Sequence, residues 1–508
     1  MPGGGGRAHR PGAGRATAHR PGGLGLPPGP GRGVLRQGGP ARSGLAGPAH
    51  APCSAHGGAG DDDVSAAGAE FVDAAVRSAL ARSRVAAADA YYKESHHRRW
   101  LVSSGDTVRT AAQESGFAVR LFRADGRVGH GSASGCGSGI QLDTVLDAAG
   151  RAADRCAPGV ASLPPGAWQP PDLDLFDPSV EQVPAVEGLL LRMEHAVLEE
   201  GRGEVELQSL LAIAGTSRVT MATSAGFSGS YSTSLVTVFL ALRARRGGDL
   251  FFHRSVVAAR HLATLDADRV ARRAARHARL PLDGGVAASG PVRVVLEPRI
   301  ACLLLEQLAP SLQHGAADRG RSSLPAVKRG ESVASASVTL VDDPMLRRGL
   351  GSLPFDGEGR PTARHILVYK GTQRAFLGAP AEGGEGHVGA MQRVSFADPP
   401  RRAPSNLHLA RGERSPRNIL ADAGSVLRVT GATLLGRGGP ASGEIALSAT
   451  AERMEAGEPA GGVRDVTLVG RAGDLLAGVV EVGNDLSFHL RGGVMGSPTV
   501  VLDGMRIP

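Results

Sequence analysis

Residues 291–313 read PVRVVLEPRIACLLLEQLAPSLQ, and their interpretation decides the fold. Residues 292–296 are an apolar run rich in β-branched side chains, which is strand character. Pro298 suits a first helical turn, where a missing N–H costs nothing. Ile300, Leu303, Leu304, Leu308 and Leu312 then recur on one helical face. The stretch predicts a strand that turns directly into a helix with an apolar face.

Downstream, the pattern changes to many short apolar runs broken by Gly, Pro and Asp. Strands are expected at 338–341, 363–370, 374–377, 425–431, 444–452, 463–469, 479–486 and 499–502, with short helices near 415–421 and 473–476. Few helices among many short strands imply a curved, barrel-like antiparallel sheet. The polar, Gly-containing residues 313–333 read as a mobile loop over a groove.

Upstream, helices are expected at 69–88, 140–156, 180–200 and 255–280. Strands are expected at 90–103, 106–113, 116–123, 127–134, 204–214, 218–223 and 231–245. Asp125-Gly126 between two β-rich runs marks a hairpin. The proline-rich 163–178 reads as a connector. The fold class is therefore α+β: an N-terminal α/β half with a mixed sheet at 61–285 and a strand-rich, barrel-like half at 286–508. Residues 1–60 repeat Gly, Pro, Ala and Arg and are expected to stay disordered; they read equally as an over-called start of translation.

Composition narrows the function. The chain has 508 residues and a formal charge of +8, from 57 basic and 49 acidic residues. Seven arginines, and no acidic residue, fall in 1–60, so the remainder is close to neutral. That argues against a nucleic-acid partner. No apolar run approaches a membrane span. Four scattered cysteines, Cys53, Cys136, Cys156 and Cys302, suit free thiols in a reducing compartment, and a cytoplasmic setting is expected.

Three strings carry a family resemblance: the V-V-L-x-P helix start, VDDPMLRRGLGSLPFDGEGRPTAR, and VGNDLSFHLRGGVMGSPTVVLDG. Together with ESGFAVRLFRADGRVGHGSASG they resemble the TldD/PmbA family of peptidases, once named modulators of DNA gyrase, over about residues 70–508. In the TldD type the helix carries His-Glu-x-x-x-His, two zinc ligands and a base. In register, this chain has Glu306, Gln307 and Ser311 there, and no cysteine follows Cys302 to supply the late ligand.

The resemblance is thus to the PmbA (TldE) type. It implies no catalytic or metal residue and no cofactor in this chain, zinc in a TldD-type partner subunit, and unfolded or modified peptides as substrates. A stand-alone homodimeric peptide-binding protein and a regulator of DNA gyrase are the alternatives.

Candidate substrate-groove residues are Asp342, Asp343, Asp356, Glu358, Ser405, Asn406, Asn484 and Asp485. Asp-Pro and Asp-Gly are also ordinary turn chemistry, and Asn or Asp in a strand break can bond its own backbone. Residues 129–139, GHGSASGCGSG, precede a helix but have neither P-loop nor dinucleotide spacing, so a flexible strand end is expected rather than a phosphate site. Arg269, Arg272, Arg273 and Arg276 read as a solvated helix face.

Overall fold

The computed structural model describes residues 61–508 apart from 104, 136–138, 160–162, 164–165, 321, 323, 325–326, 381–387 and 436–442. The expectation for residues 1–60, and Cys53 and Cys136, lie outside the described residues.

The N-terminal half runs α1 (Asp61–Leu80), β1 (Ala87–Ser103), β2 (Asp106–Phe122), β3 (Val128–Ser134), α2 (Gly139–Arg155), α3 (Val183–Gly201), β4 (Val205–Thr223), β5 (Ser228–Arg246), β6 (Asp249–Ala259) and α4 (Ala267–Arg279). Its six strands form one sheet in the order β3-β2-β1-β4-β5-β6, antiparallel at every step. Alternation places Ala90, Val119, Leu210 and Val238 on one face, where α1 and α2 cover one end and α3 and α4 the other. The opposite face carries Tyr91, Val219 and Met221 against Phe355 and Phe396 of the C-terminal half.

At the expected hairpin, Gly126 takes φ 84° and Arg127 N–H is held by Asp125 Oδ1 at 3.1 Å. Two glycines of 129–139, Gly129 and Gly131, have a packing role. A Cβ on Gly129 would lie 1.8 Å from the Ala149 carbonyl oxygen and one on Gly131 2.4 Å from that of Val145, so α2 approaches β3 only because both are glycine.

Two expectations are corrected here. The helix expected at 255–280 is a strand followed by a shorter helix. Residues 255–259 complete β6, where Val256 pairs with Phe239, and α4 starts only after Asp266 caps it by accepting from Arg269 N–H at 3.0 Å. The first helix stops at Leu80, since Arg84 takes φ 65° and the chain enters β1 by Ala87. Elsewhere neighbouring runs merge, so that 106–122 is one strand and 205–223 another.

The C-terminal half begins with β7 (Gly290–Leu296) and α5 (Pro298–Leu308). Then follow β8 (Leu340–Asp342), β9 (His365–Tyr369), β10 (Thr372–Gln373), β11 (Ala390–Gln392), β12 (Arg401–Ala403), β13 (Asn406–Leu409) and α6 (Pro416–Asp422). β14 (Ser425–Leu434), β15 (Glu444–Glu455), β16 (Glu458–Arg471), α7 (Ala472–Ala477), β17 (Val479–Val482), β18 (Ser487–Leu490), β19 (Val494–Ser497) and β20 (Val500–Ile507) complete it.

β16-β15-β14-β7-β20 closes through a β16–β20 pairing into a five-stranded barrel, with β17 added on β20. A second sheet runs β10-β9-β8-β13-β19-β18. Of the run expected as one strand at 479–486, only Val479–Val482 is strand, and residues 483–486 lead to β18 of the second sheet. Residues 374–377 are not strand, and β11, β12, β13 and β19 are short elements that the periodicity does not announce.

Helix α5 is buried over most of its surface between the two sheets. Ile300, Leu304 and Leu308 share one core with Leu296, Val429, Leu447 and Leu502 of the barrel and Leu340, Leu367, Leu407 and Met495 of the second sheet. Fully burying a leucine stabilises by about 2 kcal/mol, so this helix is a principal source of cohesion. Within 313–333, His314 N–H donates to the Leu377 carbonyl at 2.8 Å, and Ala316 and Leu324 are buried.

Candidate functional site

The family motif positions fall at the end of α5. The α-helix stops at Leu308, and Pro310 turns residues 309–312 into a 3-10 turn, so Ser311 lies beyond it. Glu306 is half-buried and its Oε1 accepts the Gly492 N–H at 2.9 Å. Gln307 is half-buried and Ser311 buried. One turn back, the Cys302 Sγ–H donates to the Met495 carbonyl at 3.4 Å, and burial pushes the thiol up to about 12.

A carboxylate already engaged, an amide, a hydroxyl and a protonated thiol are not the imidazole and thiolate donors that zinc takes. Among the described residues, no three His, Cys, Asp or Glu side chains converge so as to hold a metal ion. The residues at the end of α5 do not fit zinc.

The acidic candidates divide into three places. In the first, Asp342 Oδ1 accepts from Ser405 N–H at 2.8 Å and Ser405 Oγ–H at 2.9 Å, while its Oδ2 is buried with no hydrogen bond. Burial pushes this carboxyl up to about 6. Asn406 beside it accepts the Gly351 N–H at 2.8 Å and donates to the Asp343 carbonyl at 2.7 Å and Ser352 Oγ at 2.9 Å. Its amide is thus fully engaged within the chain. Asp343 accepts from Met345 N–H at 2.9 Å and faces Arg364 at 3.6 Å.

In the second place, Asp356 gathers the N–H groups of Glu358 and Arg360, both at 2.9 Å, and of Met391 at 3.2 Å. Burial outweighs these bonds and raises its carboxyl to about 6. Glu358 Oε1 receives Arg120 Nη1 at 2.7 Å. Arg120 Nε also bonds the fully buried Asp89 at 2.8 Å, and Arg393 reaches the same carboxylate at 3.3 Å while lying over the Tyr91 ring. Desolvation opposes the Arg120 cation, but Asp89 and Glu358 outweigh it and hold the group well above its ordinary value.

In the third, Asp485 accepts the Thr499 N–H and Oγ–H, both at 2.8 Å, and Asn484 donates to the Glu413 carbonyl at 3.1 Å, where the chain passes from β17 to β18. Sequence reasoning did not select Asp89, Arg120 or Arg393. Separations of 31, 238 and 304 residues leave no local spacing to recognise.

A buried strand, a proline and a core helix between a closed barrel and a second sheet define the class, an α+β protein with a barrel-bearing C-terminal half. The chain belongs to the PmbA/TldD family: residues 173–282 match the PmbA/TldA metallopeptidase central domain and 289–508 the C-terminal domain.

A metalloprotease of Methanothermobacter thermautotrophicus is 29% identical over 230 residues, covering 43% of this chain and 49% of the relative. Metalloprotease PmbA of Escherichia coli O157:H7 is 25% identical over 342 residues, covering 66% and 72%. The chain spans about half the length of several curated relatives it matches. Two solved structures share the fold: a putative modulator of a DNA gyrase from Thermotoga maritima, TM-score 0.74 at 22% identity, and TldE from Thermococcus kodakarensis, TM-score 0.72 at 19%. Each covers 86% of this chain and 99% of the neighbour. No described helix is long and apolar enough to cross a membrane.

Proposed function

We propose that this chain is the subunit without zinc of a two-subunit metallopeptidase, PmbA (TldE) in type. It pairs with a TldD-type subunit that carries the metal and acts on unfolded or modified peptides in the cytoplasm. One observation carries the reading: α5 keeps its apolar packing while Glu306, Gln307 and Ser311 stand where ligands and base would be. A zinc hydrolase needs the metal to activate water and a base to take its proton. A chain that keeps the helix without these groups is suited to completing a cavity for a partner.

In this reading Asp342, Asp343, Asp356, Glu358, Ser405, Asn406, Asn484 and Asp485 shape the walls of the shared groove from behind, since most of their polar atoms are engaged within the chain. Co-expression with a TldD-type chain tests it. A stable complex with one zinc per pair, and none on this chain alone, is expected. Zinc retained by this chain alone would overturn it.

The homodimeric peptide-binding alternative has its own support in β2. Residues 106–114 are exposed and lie beyond the reach of β3, which pairs only with 116–122. A free antiparallel edge accepts an extended peptide as an added strand. The gyrase alternative has no comparable feature, because the body of the chain is close to neutral.

A further inference from the structure

Where β6, α4 and the first turn of α5 meet, a cavity of about 100 Å³ has His253, Arg273, His277, Glu297, Arg299, Ser487 and His489 among its walls. It is distinct from the motif end of α5, since Arg299 precedes Glu306 by seven residues, about 10 Å along a helix axis.

The charges around it do not cancel. The buried Glu297 carboxylate is already neutralised by Arg273 Nη2 at 2.6 Å and Arg428 Nη2 at 2.8 Å, with His277 Nε2 at 3.5 Å. Arg299 has no such partner. It donates to the Thr430 carbonyl at 3.3 Å and makes no ion pair among the described residues.

The donors do not cancel either. His253 is 8% exposed and makes no hydrogen bond among the described residues; its ring stands edge-on to His277 with centroids 5.8 Å apart. Burial first, then the Arg299 cation, holds His253 down to about 3, and burial with Arg299 and Arg491 does the same to His489. Both imidazoles are therefore neutral near pH 7; the His253 ring has an N–H to donate, while His489 Nε2 is hydrogen-bonded to Ser487 Oγ at 3.1 Å. The N-terminus of α5 adds partial positive charge of its own. Two guanidiniums exclude a metal cation, and the volume excludes a nucleotide.

We propose that this cavity binds a small oxyanion, whose oxygens accept from Arg299, Arg273, the His253 imidazole and the one proton that the hydrogen-bonded Ser487–His489 pair leaves free. Inorganic phosphate and the terminal carboxylate of a peptide share this chemistry. Because β6 and α4 wall one side and α5 and β18 the other, the anion ties the two halves of the chain together. Its binding raises the melting temperature as ligand concentration passes Kd.

The test is calorimetric titration of the full chain with sodium phosphate, with a short N-acetylated peptide bearing a free C-terminus, and with the same peptide amidated. Melting is followed in parallel. One site per chain is expected for phosphate or for the free-acid peptide, and none for the amide; which of the two binds identifies the source.

Arg299→Gln and His253→Gln are expected to weaken binding by about tenfold or more, whereas the remote, exposed Arg155→Gln leaves it unchanged. Should either cavity variant fail to fold, ring 15N shifts of His253 in the wild-type chain decide: they move on saturation if the site is correct. No saturable heat with either ligand up to about 10 mM, or binding equally retained in both cavity variants, would overturn the proposal.

Discussion

Arg120 on β2 and Glu358 in the C-terminal half, 238 residues apart in the chain, are joined Nη1 to Oε1 at 2.7 Å, and the same guanidinium bonds the buried Asp89 of β1. The ion pair ties the flat face of the N-terminal sheet to the loop that follows Asp356. Arg393, fully enclosed over Tyr91, supplies the second cation for Asp89.

Arg120→Gln leaves two buried carboxylates short of a cation. A loss of about 3–5 kcal/mol is expected in denaturant unfolding. The double variant Arg120→Gln with Glu358→Gln should lose less than the sum of the single changes, because each removes the same pair. Additive losses would show that the contact does not couple the halves.

Along α5, packing and the motif positions separate cleanly. Leu308→Ala empties part of a shared core and should cost about 2–5 kcal/mol. Gln307→Ala, at a half-buried position, should stay within about 0.5 kcal/mol. Chemical denaturation of both variants checks the contrast; a large loss at Gln307 would assign that residue a structural task of its own.

Acid stability follows from opposed groups. Asp342 and Asp356, raised to about 6 by burial, hold protons in the fold that the unfolded chain releases near pH 4, so they favour the fold as pH falls through that window. His253 and His489, held at about 3, and His277, held well below its ordinary value, stay neutral in the fold while the unfolded chain protonates near pH 6.5. Their contribution is full above that pH and is lost on acidification.

With His130, His365 and His408 also lowered by burial, the imidazoles outnumber the two carboxyls, and a net loss of stability on acidification is expected between roughly pH 6 and 4. His253→Gln should flatten this slope and Asp342→Asn should steepen it, measured as unfolding free energy at each pH. Opposite signs would contradict the burial of these groups.

Much of the fold is legible in local sequence patterns. Residues 292–308 announce the strand, the proline and the helix, Asp125-Gly126 the hairpin, and Ser415 the start of α6, which it caps by accepting from Asn418 N–H at 3.3 Å. Alternation fails at 255–259, where a β-branched strand end runs straight toward an alanine-rich helix and only Asp266 marks the join. It fails also at four-residue strands such as β13, whose parallel pairing with β19 is a long-range choice. The polar clusters are half legible: Asp342, Asp356 and Asn406 stand out by type. Their buried counterparts Asp89, Arg120 and Arg393 come from distant segments, and no spacing in the chain discloses them.

Peptide cleavage addresses the central claim most directly. An unfolded peptide is incubated with this chain alone, with a TldD-type subunit alone, and with the mixture, each with and without a chelator. The account predicts no hydrolysis by this chain, hydrolysis by the mixture well above that of the partner alone, and its abolition by the chelator. Chelator-sensitive cleavage by this chain alone, or a mixture no more active than the partner, would contradict it.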